Sequence, residues 1–137
     1  MTTRTESGSA EPTPESSFLS VLIIDDDDAH LALMRRSLRG QQLLVFVANH
    51  PNEALELMQR VKPDVVLIDV HMPDVPGTEL LPLLRDLKTK ARLVLYSNEP
   101  SEALRAHAQA VGADGYIEKG QPPAQLVRQL HSILNAM

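Results

Sequence analysis

The chain has 137 residues, 43% of them hydrophobic, and its 13 basic and 18 acidic residues give a net charge of −5. This length suffices for one domain with a hydrophobic core and is too short for two. The acidic balance argues against a nucleic-acid-binding surface. The absence of cysteine excludes a disulfide framework, thiol catalysis and a zinc ribbon.

Residues 1–17 are rich in Ser, Thr, Glu and Pro and offer almost nothing to bury, so we expect a disordered tail followed by one domain over residues 18–137. The N-terminus lacks the charged and then apolar pattern of a secretion signal. No apolar run approaches membrane-spanning length. We therefore expect a soluble cytoplasmic protein that has neither a membrane nor a nucleic-acid partner.

Short apolar runs rich in β-branched residues recur along the chain and predict buried parallel strands. There are five of them: Ser20–Ile24, Leu43–Val47, Asp64–Ile68, Arg92–Tyr96 and Gly115–Ile117. Residues with helical spacing follow each run, which predicts an α/β fold with a doubly wound parallel sheet and helices on both faces. For five such strands the common order is the flavodoxin-like 2-1-3-4-5, which we expect here.

The predicted helices each present an apolar stripe to the sheet. The stripes are Leu31, Met34 and Leu38; Ala54, Leu55, Met58 and Val61; Leu80, Leu81, Leu84 and Leu87; Leu104 and Val111; and Leu126, Val127, Leu130, Ile133 and Leu134. Asp27 or Asp28 is the expected N-cap of the first helix. Pro82 is compatible with the third helix if the hydrogen-bonded part begins near Leu81, and otherwise bends its first turn.

Several chemically active side chains follow the predicted strands directly. Asp25 and Asp26 come after the first strand, Asp69 after the third, Ser97 after the fourth and Lys119 shortly after the fifth. Because ligands of open α/β sheets bind beyond the carboxyl ends of the strands, we expect these groups to share one edge. Taken one at a time, these acids and this lysine would be interpreted as an acidic turn, a turn former and a solvated surface lysine.

Together, these side chains suit phosphoryl transfer to a carboxylate. A carboxylate such as Asp69 can attack a phosphoryl donor and hold the group as an acyl phosphate. The approach of an anionic donor requires charge neutralisation, which Mg²⁺ bound by Asp25 and Asp26 would provide. Lys119 can bind one phosphoryl oxygen, and the Ser97 hydroxyl can donate a hydrogen bond to another.

The chain resembles the receiver domain of two-component response regulators over essentially all of residues 18–137. Four motifs carry the resemblance, in order and in spacing: Val21–Asp26, Pro63–Pro73, Leu95–Ser97 and Gly112–Lys119. The resemblance implies that Asp69 is the phospho-acceptor and Lys119 the phosphate-binding lysine. It implies a Mg²⁺ site formed by Asp25, Asp26, Asp69 and the backbone carbonyl of His71, with Asp26 the favoured direct ligand. It also implies that Ser97 and Tyr116 are the switch residues.

The resemblance further implies a histidine kinase or phosphotransfer protein as phosphodonor and a downstream protein that binds the 101–136 face. A stand-alone regulator similar to the chemotaxis receivers is expected, or else an excised module. Two positions depart from the family pattern. Gly120 stands where a proline usually follows the lysine, and Asn98 stands where a small apolar residue usually follows the hydroxyl. Together with His71, Asn98 is expected to influence the lifetime of the acyl phosphate.

Three alternative functions remain open at this stage. A receiver-like interaction module that is never phosphorylated is the main rival. A haloacid-dehalogenase-like phosphatase would need a second Asp two residues after Asp69, where this chain has His71. A flavodoxin-like mononucleotide carrier would need hydroxyls and glycines in the first loop, where this chain has four aspartates. The other histidines show no shared metal-ligand spacing and are interpreted as surface or boundary residues: His30, His50, His107 and His131.

Overall fold

The computed structural model describes residues 18–136, so the predicted tail over residues 1–17 lies outside the described part. Within that part, strands and helices alternate from end to end. The strands are β1 (Leu19–Ile24), β2 (Leu43–Ala48), β3 (Val65–Asp69), β4 (Arg92–Ser97) and β5 (Gly115–Glu118). The helices are α1 (Asp28–Ser37), α2 (Pro51–Val61), α3 (Gly77–Arg85), α4 (Ser101–Val111) and α5 (Pro123–Leu134).

The five strands form one parallel sheet in the order β2-β1-β3-β4-β5, which confirms the predicted topology. At the carboxyl edge, β2, β3, β4 and β5 each run one residue further than the apolar patterns indicated. The pairing Asp69↔Tyr96 places the acid inside the ladder, and Ser97↔Glu118 does the same for the hydroxyl. The polar residues therefore belong to the strand ends themselves, where hydrogen bonds between strands hold their backbone.

Helices cover both faces of the sheet, as predicted. On one face α1 and α5 pack against the sheet through Leu31, Met34, Leu38, Leu126 and Leu130. On the other face α2, α3 and α4 pack against it through Ala54, Leu57, Met58, Leu80, Leu81, Leu84, Leu104 and Ala108. Residues 65–70 are buried throughout, because β3 lies at the centre of the sheet with helices above and below it.

Two local predictions about the helices are resolved by the structure. Asp27 is the N-cap of α1, and its Oδ1 accepts a hydrogen bond from the His30 N–H at 3.2 Å. The condition that would have accommodated Pro82, a hydrogen-bonded helix that begins near Leu81, is not met, since α3 begins at Gly77 and Pro82 lies inside the helix. The Leu80 N–H already bonds the Pro76 carbonyl at 2.9 Å, so the first turn forms before the proline interrupts the ladder.

The start of α3 depends on the absence of a side chain at Gly77. Its N–H donates to the Val70 carbonyl at 3.1 Å, which draws the helix against the end of β3. A Cβ atom at this position would overlap the Asp69 carbonyl oxygen and lie 2.9 Å from the Asp69 carbonyl carbon. Glycine therefore allows α3 to pack directly behind the backbone of Asp69.

Candidate functional site

Three carboxylates meet at the carboxyl edge of the sheet, as the sequence predicted. Asp25 and Asp69 are almost fully buried, at 1% and 4% exposure, whereas Asp26 is exposed. One carboxylate oxygen from each of the three lies within 4.8 Å of the other two. Carboxylates this close repel one another unless a cation lies among them.

The Lys119 ammonium provides positive charge between the two buried acids. Its Nζ lies 2.9 Å from Asp25 Oδ2 and 3.4 Å from Asp69 Oδ1. The Lys119 backbone is fixed as well, because its N–H donates to the Ser97 carbonyl at 2.8 Å. The lysine predicted from the fifth strand therefore joins the acids that follow the first and third strands.

The electrostatic environment of Asp69 is unusual for a carboxylate. Burial raises the pKa of Asp69 from its ordinary value of 3.8 to about 6, the Lys119 ammonium lowers this pKa, and the Asp25 carboxylate raises it. A single lysine thus compensates only part of the cost of burial and of the neighbouring negative charge. An additional cation in this cluster would stabilise the ionised form of Asp69.

The backbone of His71 contacts Asp69, whereas its side chain contacts Glu99. Its N–H donates to Asp69 Oδ1 at 3.2 Å. The imidazole is exposed, and its Nε2 lies 3.2 Å from Glu99 Oε2; His107 Nε2 approaches the same oxygen at 3.3 Å. The histidine that follows the predicted acceptor is therefore linked to the β4–α4 loop and to α4.

The two predicted switch residues occupy neighbouring strands. Ser97 is fully buried, and its Oγ accepts a hydrogen bond from the Glu99 N–H at 3.1 Å. Tyr116 is half-buried and forms one wall of an open cavity of about 380 Å³, together with Ser101, Glu102 and Arg105 of α4. In the sheet Tyr116 pairs with Leu95, and Ser97 pairs with Glu118. The Tyr116 ring therefore lies on the strand next to the one that carries the Ser97 hydroxyl.

Sequence reasoning missed a second polar network, formed by Tyr96 and His30. Tyr96 is 2% exposed; its hydroxyl lies 3.1 Å from His30 Nε2 and donates to Met34 Sδ at 3.2 Å. Burial raises the pKa of the Tyr96 phenol, and the carboxylates of Asp25 and Asp69 raise it further. A tyrosine in an otherwise aliphatic strand was the available signal, since a buried phenol requires a hydrogen-bond partner.

The acidic cluster has the composition and spacing of a Mg²⁺ site. Mg²⁺ prefers oxygen ligands and is commonly held by one or two carboxylates, water and phosphate oxygens. Asp25, Asp26 and Asp69 supply the carboxylates, and Asp26 is open to solvent. In the part of the chain that the structure describes, no other group of three histidines or acids brings its ligand atoms this close together.

The chain is similar to response regulators in sequence. A family model described as the response regulator receiver domain matches residues 21–131. The chain is 31% identical over 114 residues to the nitrate/nitrite response regulator protein NarL of Escherichia coli K12, covering 82% of this chain and 53% of NarL. It is 31% identical over 116 residues to response regulator MprA of Mycobacterium leprae, covering 85% of this chain and 51% of MprA. The chain thus spans about half the length of these relatives.

Solved structures give the same family likeness. The chemotaxis protein CheY4 of Vibrio cholerae is 26% identical and superposes with a TM-score of 0.77, covering 85% of this chain and 99% of CheY4. A CheY-like receiver domain protein of Methanospirillum hungatei is 28% identical, with a TM-score of 0.75, covering 88% of this chain and 96% of that protein.

Among the described residues 18–136, none of the helices has both the length and the apolar character that crossing a membrane requires.

Proposed function

The chain belongs to the response regulator receiver domain family, and from this membership we propose that it is a switch controlled by phosphorylation of Asp69. Receiver domains of response regulators are signalling modules rather than classical enzymes. One observation carries the assignment to Asp69. This carboxylate ends the central strand, with the Lys119 ammonium 3.4 Å away and Asp25 and Asp26 within 4.8 Å.

The proposed reaction is an attack by an Asp69 carboxylate oxygen on the phosphorus of a phosphodonor. A new O–P bond forms and the bond from phosphorus to the donor breaks, so the electron pair leaves with the imidazole of a phosphohistidine or with the acetate of acetyl phosphate. Lys119 can bind a phosphoryl oxygen once its contact with Asp69 opens. The Ser97 hydroxyl can turn from the Glu99 N–H toward a second phosphoryl oxygen.

Asp25, Asp26 and Asp69 and the backbone carbonyl of His71 would hold Mg²⁺ in this proposal. The cation would neutralise charge on the carboxylates and on the phosphoryl oxygens as they approach. Among these residues, Asp26 is free to turn toward a cation because it is exposed, whereas Asp25 is already held by Lys119 and by the Asp27 N–H at 2.9 Å. Asp26 is therefore our favoured direct ligand.

The proposed partners follow from the family. Its members act between a histidine kinase and a downstream effector, so we propose a histidine kinase or a phosphotransfer protein as the phosphodonor. We propose that the downstream protein binds the 101–136 face, which is formed by α4, β5 and α5 and includes Tyr116. Signalling in the cytoplasm by protein contact, without nucleic acid or membrane, completes the proposal.

Phosphorylation is tested by incubating the protein with acetyl phosphate and Mg²⁺ and measuring its intact mass. We expect the addition of one phosphoryl group, which hydroxylamine removes and which Asp69→Asn abolishes. Asp86→Asn is the matched control, because Asp86 caps the C-terminal end of α3 and is exposed. Equal labelling of the Asp69→Asn variant would overturn the acceptor assignment. The absence of labelling in the wild type would favour an interaction module that is not phosphorylated.

A further inference from the structure

A cleft of about 760 Å³ lies at the opposite edge of the sheet, at the amino ends of β3 and β4. Small-molecule sites typically occupy 300–1,000 Å³, so the cleft has the size of a ligand site. Two residues that line it lie at the start of the β3–β4 ladder: Arg92 forms the first pair with Val65, and its N–H donates to the carbonyl of Asp64 at 3.0 Å. Since β3 spans roughly 13 Å from this edge to Asp69, the cleft is separate from the acidic cluster.

Positive charge converges on this cleft in a protein whose net charge is −5. Its lining includes Lys62, Lys88, Lys90 and Arg92 and a single acid, Asp64. The Asp64 carboxylate is already engaged, because its Oδ2 accepts hydrogen bonds from the Ser20 N–H at 2.8 Å and the Ser20 hydroxyl at 3.0 Å. Within residues 18–136, none of the four cations forms an ion pair within 4.0 Å. The excess charge therefore lacks a counterion from the described part of the chain.

Arg92 adds a guanidinium to the three lysines that line the cleft. Its Nε is buried and has no hydrogen-bond partner among residues 18–136, which costs free energy in an interior site. Lys62 and Lys88 hold left-handed backbone conformations, with φ of 55° and 57°. Glycine would adopt these angles more easily, so both lysines are placed at a backbone cost. An anion in the cleft would neutralise the charge of the lysines and of the Arg92 guanidinium, which line it.

The remaining walls of the cleft are apolar. Met58 and Leu134 come from helices on opposite faces of the sheet, and Pro63, Leu87 and Ala91 come from the loops between them. Such a surface suits the ring of an organic ligand more than a hydrated inorganic ion. We propose that this cleft binds a small phosphate ester with an apolar ring, of the class of the nucleoside diphosphates. This inference goes beyond the proposed function and does not depend on it.

The test is calorimetric titration of the full chain with ADP, pyrophosphate and adenosine at low salt with a chelator, so that no divalent cation bridges ADP to the acidic cluster. We expect ADP to bind more tightly than pyrophosphate and adenosine, and to shift amide resonances of residues 62 and 88–92. The double variant Lys62→Gln/Lys88→Gln should weaken ADP binding about tenfold. The control Arg35→Gln/Arg105→Gln removes two exposed charges from α1 and α4 and should leave the affinity unchanged.

Several results would overturn the proposal. These are no ADP binding, equal affinity for pyrophosphate, equal weakening by the control variant, or resonance shifts confined to the Asp69 edge. Arg92→Gln provides a second probe, because it removes another positive charge from the cleft, and it should weaken ADP binding further. If Arg92→Gln fails to fold, the lysine double variant still decides the outcome, because both lysines are exposed.

Discussion

The Tyr96 hydroxyl lies 3.1 Å from His30 Nε2, and the Tyr96 ring lies 5.3 Å from the Lys119 ammonium. His30 Nε2 is also 4.0 Å from Asp25 Oδ2, the oxygen that Lys119 contacts at 2.9 Å. The Tyr96 ring therefore contacts the ammonium of the Lys119–Asp25 ion pair, and His30 of α1 contacts the Tyr96 hydroxyl. The Lys119 N–H is held by the Ser97 carbonyl at 2.8 Å, whereas the next residue, Gly120 with φ of 87°, leaves the backbone after the lysine less restricted than a proline would.

This arrangement predicts that Tyr96 positions Lys119 for phosphoryl binding. Tyr96→Leu removes the cation–π contact and should raise the acetyl phosphate concentration for half-maximal labelling about fivefold. Tyr96→Phe keeps the ring and loses only the contacts of the hydroxyl with His30 and Met34, so it should restore most of the affinity. Initial rates of phosphorylation across donor concentrations provide the measurement, with thermal unfolding to verify folding. If Phe and Leu behave alike, the ring has no positioning role.

The raised pKa of Asp69 makes stability depend on pH. The folded-state pKa of about 6 lies above the ordinary 3.8, so the folded chain binds this proton more tightly than the unfolded chain does. The resulting stabilisation is complete below about pH 4 and is lost as the pH rises through 6. Without metal, Asp69→Asn should therefore raise the free energy of unfolding at pH 7 by on the order of 2 kcal/mol. Urea unfolding at several pH values tests this, and a gain that does not shrink toward pH 4 would contradict it.

Asp26 is expected to contribute to Mg²⁺ affinity more than to folding. Asp26→Ala removes one exposed carboxylate from a cluster of three, so Mg²⁺ binding should weaken by about tenfold or more. In metal-free buffer the variant should keep or gain thermal stability, because repulsion within the cluster falls. Titration with Mg²⁺ measures the first effect and thermal unfolding the second. Asp86→Ala is the control, and an unchanged Mg²⁺ affinity in Asp26→Ala would move the ligand to Asp27.

The sequence predicted the strand order and the meeting of Asp25, Asp69 and Lys119, because buried strands have a clear apolar pattern and parallel strands end at one edge. It did not predict the partners of side chains that meet across the sheet. His30 looked like a boundary residue because its contact with Tyr96 depends on the packing of α1 against β4, which periodicity does not specify. The start of α3 was left open for a related reason, since it depends on tertiary packing at Gly77, ahead of Pro82.

Gly77 should be intolerant of even a single methyl group. In Gly77→Ala the new Cβ would overlap the Asp69 carbonyl oxygen, so either α3 or the end of β3 must move. We expect a loss of about 2 kcal/mol in the free energy of unfolding and slower phosphorylation of Asp69. Thr78→Ala, one residue later in the same turn, is the control for helix propensity. Urea unfolding and intact-mass labelling test both effects, and wild-type values in both would show that the packing at this position is loose.

Phosphorylation should change the surface formed by α4 and β5, because the proposed switch residues Ser97 and Tyr116 border it. A shift of Ser97 Oγ toward a phosphoryl group would loosen its contact with the Glu99 N–H in the β4–α4 loop and should give the half-buried Tyr116 ring room to turn inward. Among the residues of α4 only Leu104 and Ala108 are buried, so this helix should respond most. Amide exchange with and without beryllium fluoride should therefore show altered protection over residues 101–120. Ser97→Ala should still accept a phosphoryl group on Asp69 but lose most of that change, whereas Ser97→Thr, which keeps a hydroxyl, should retain it. Protection changes confined to residues 25–28 would show that the chain signals through another surface.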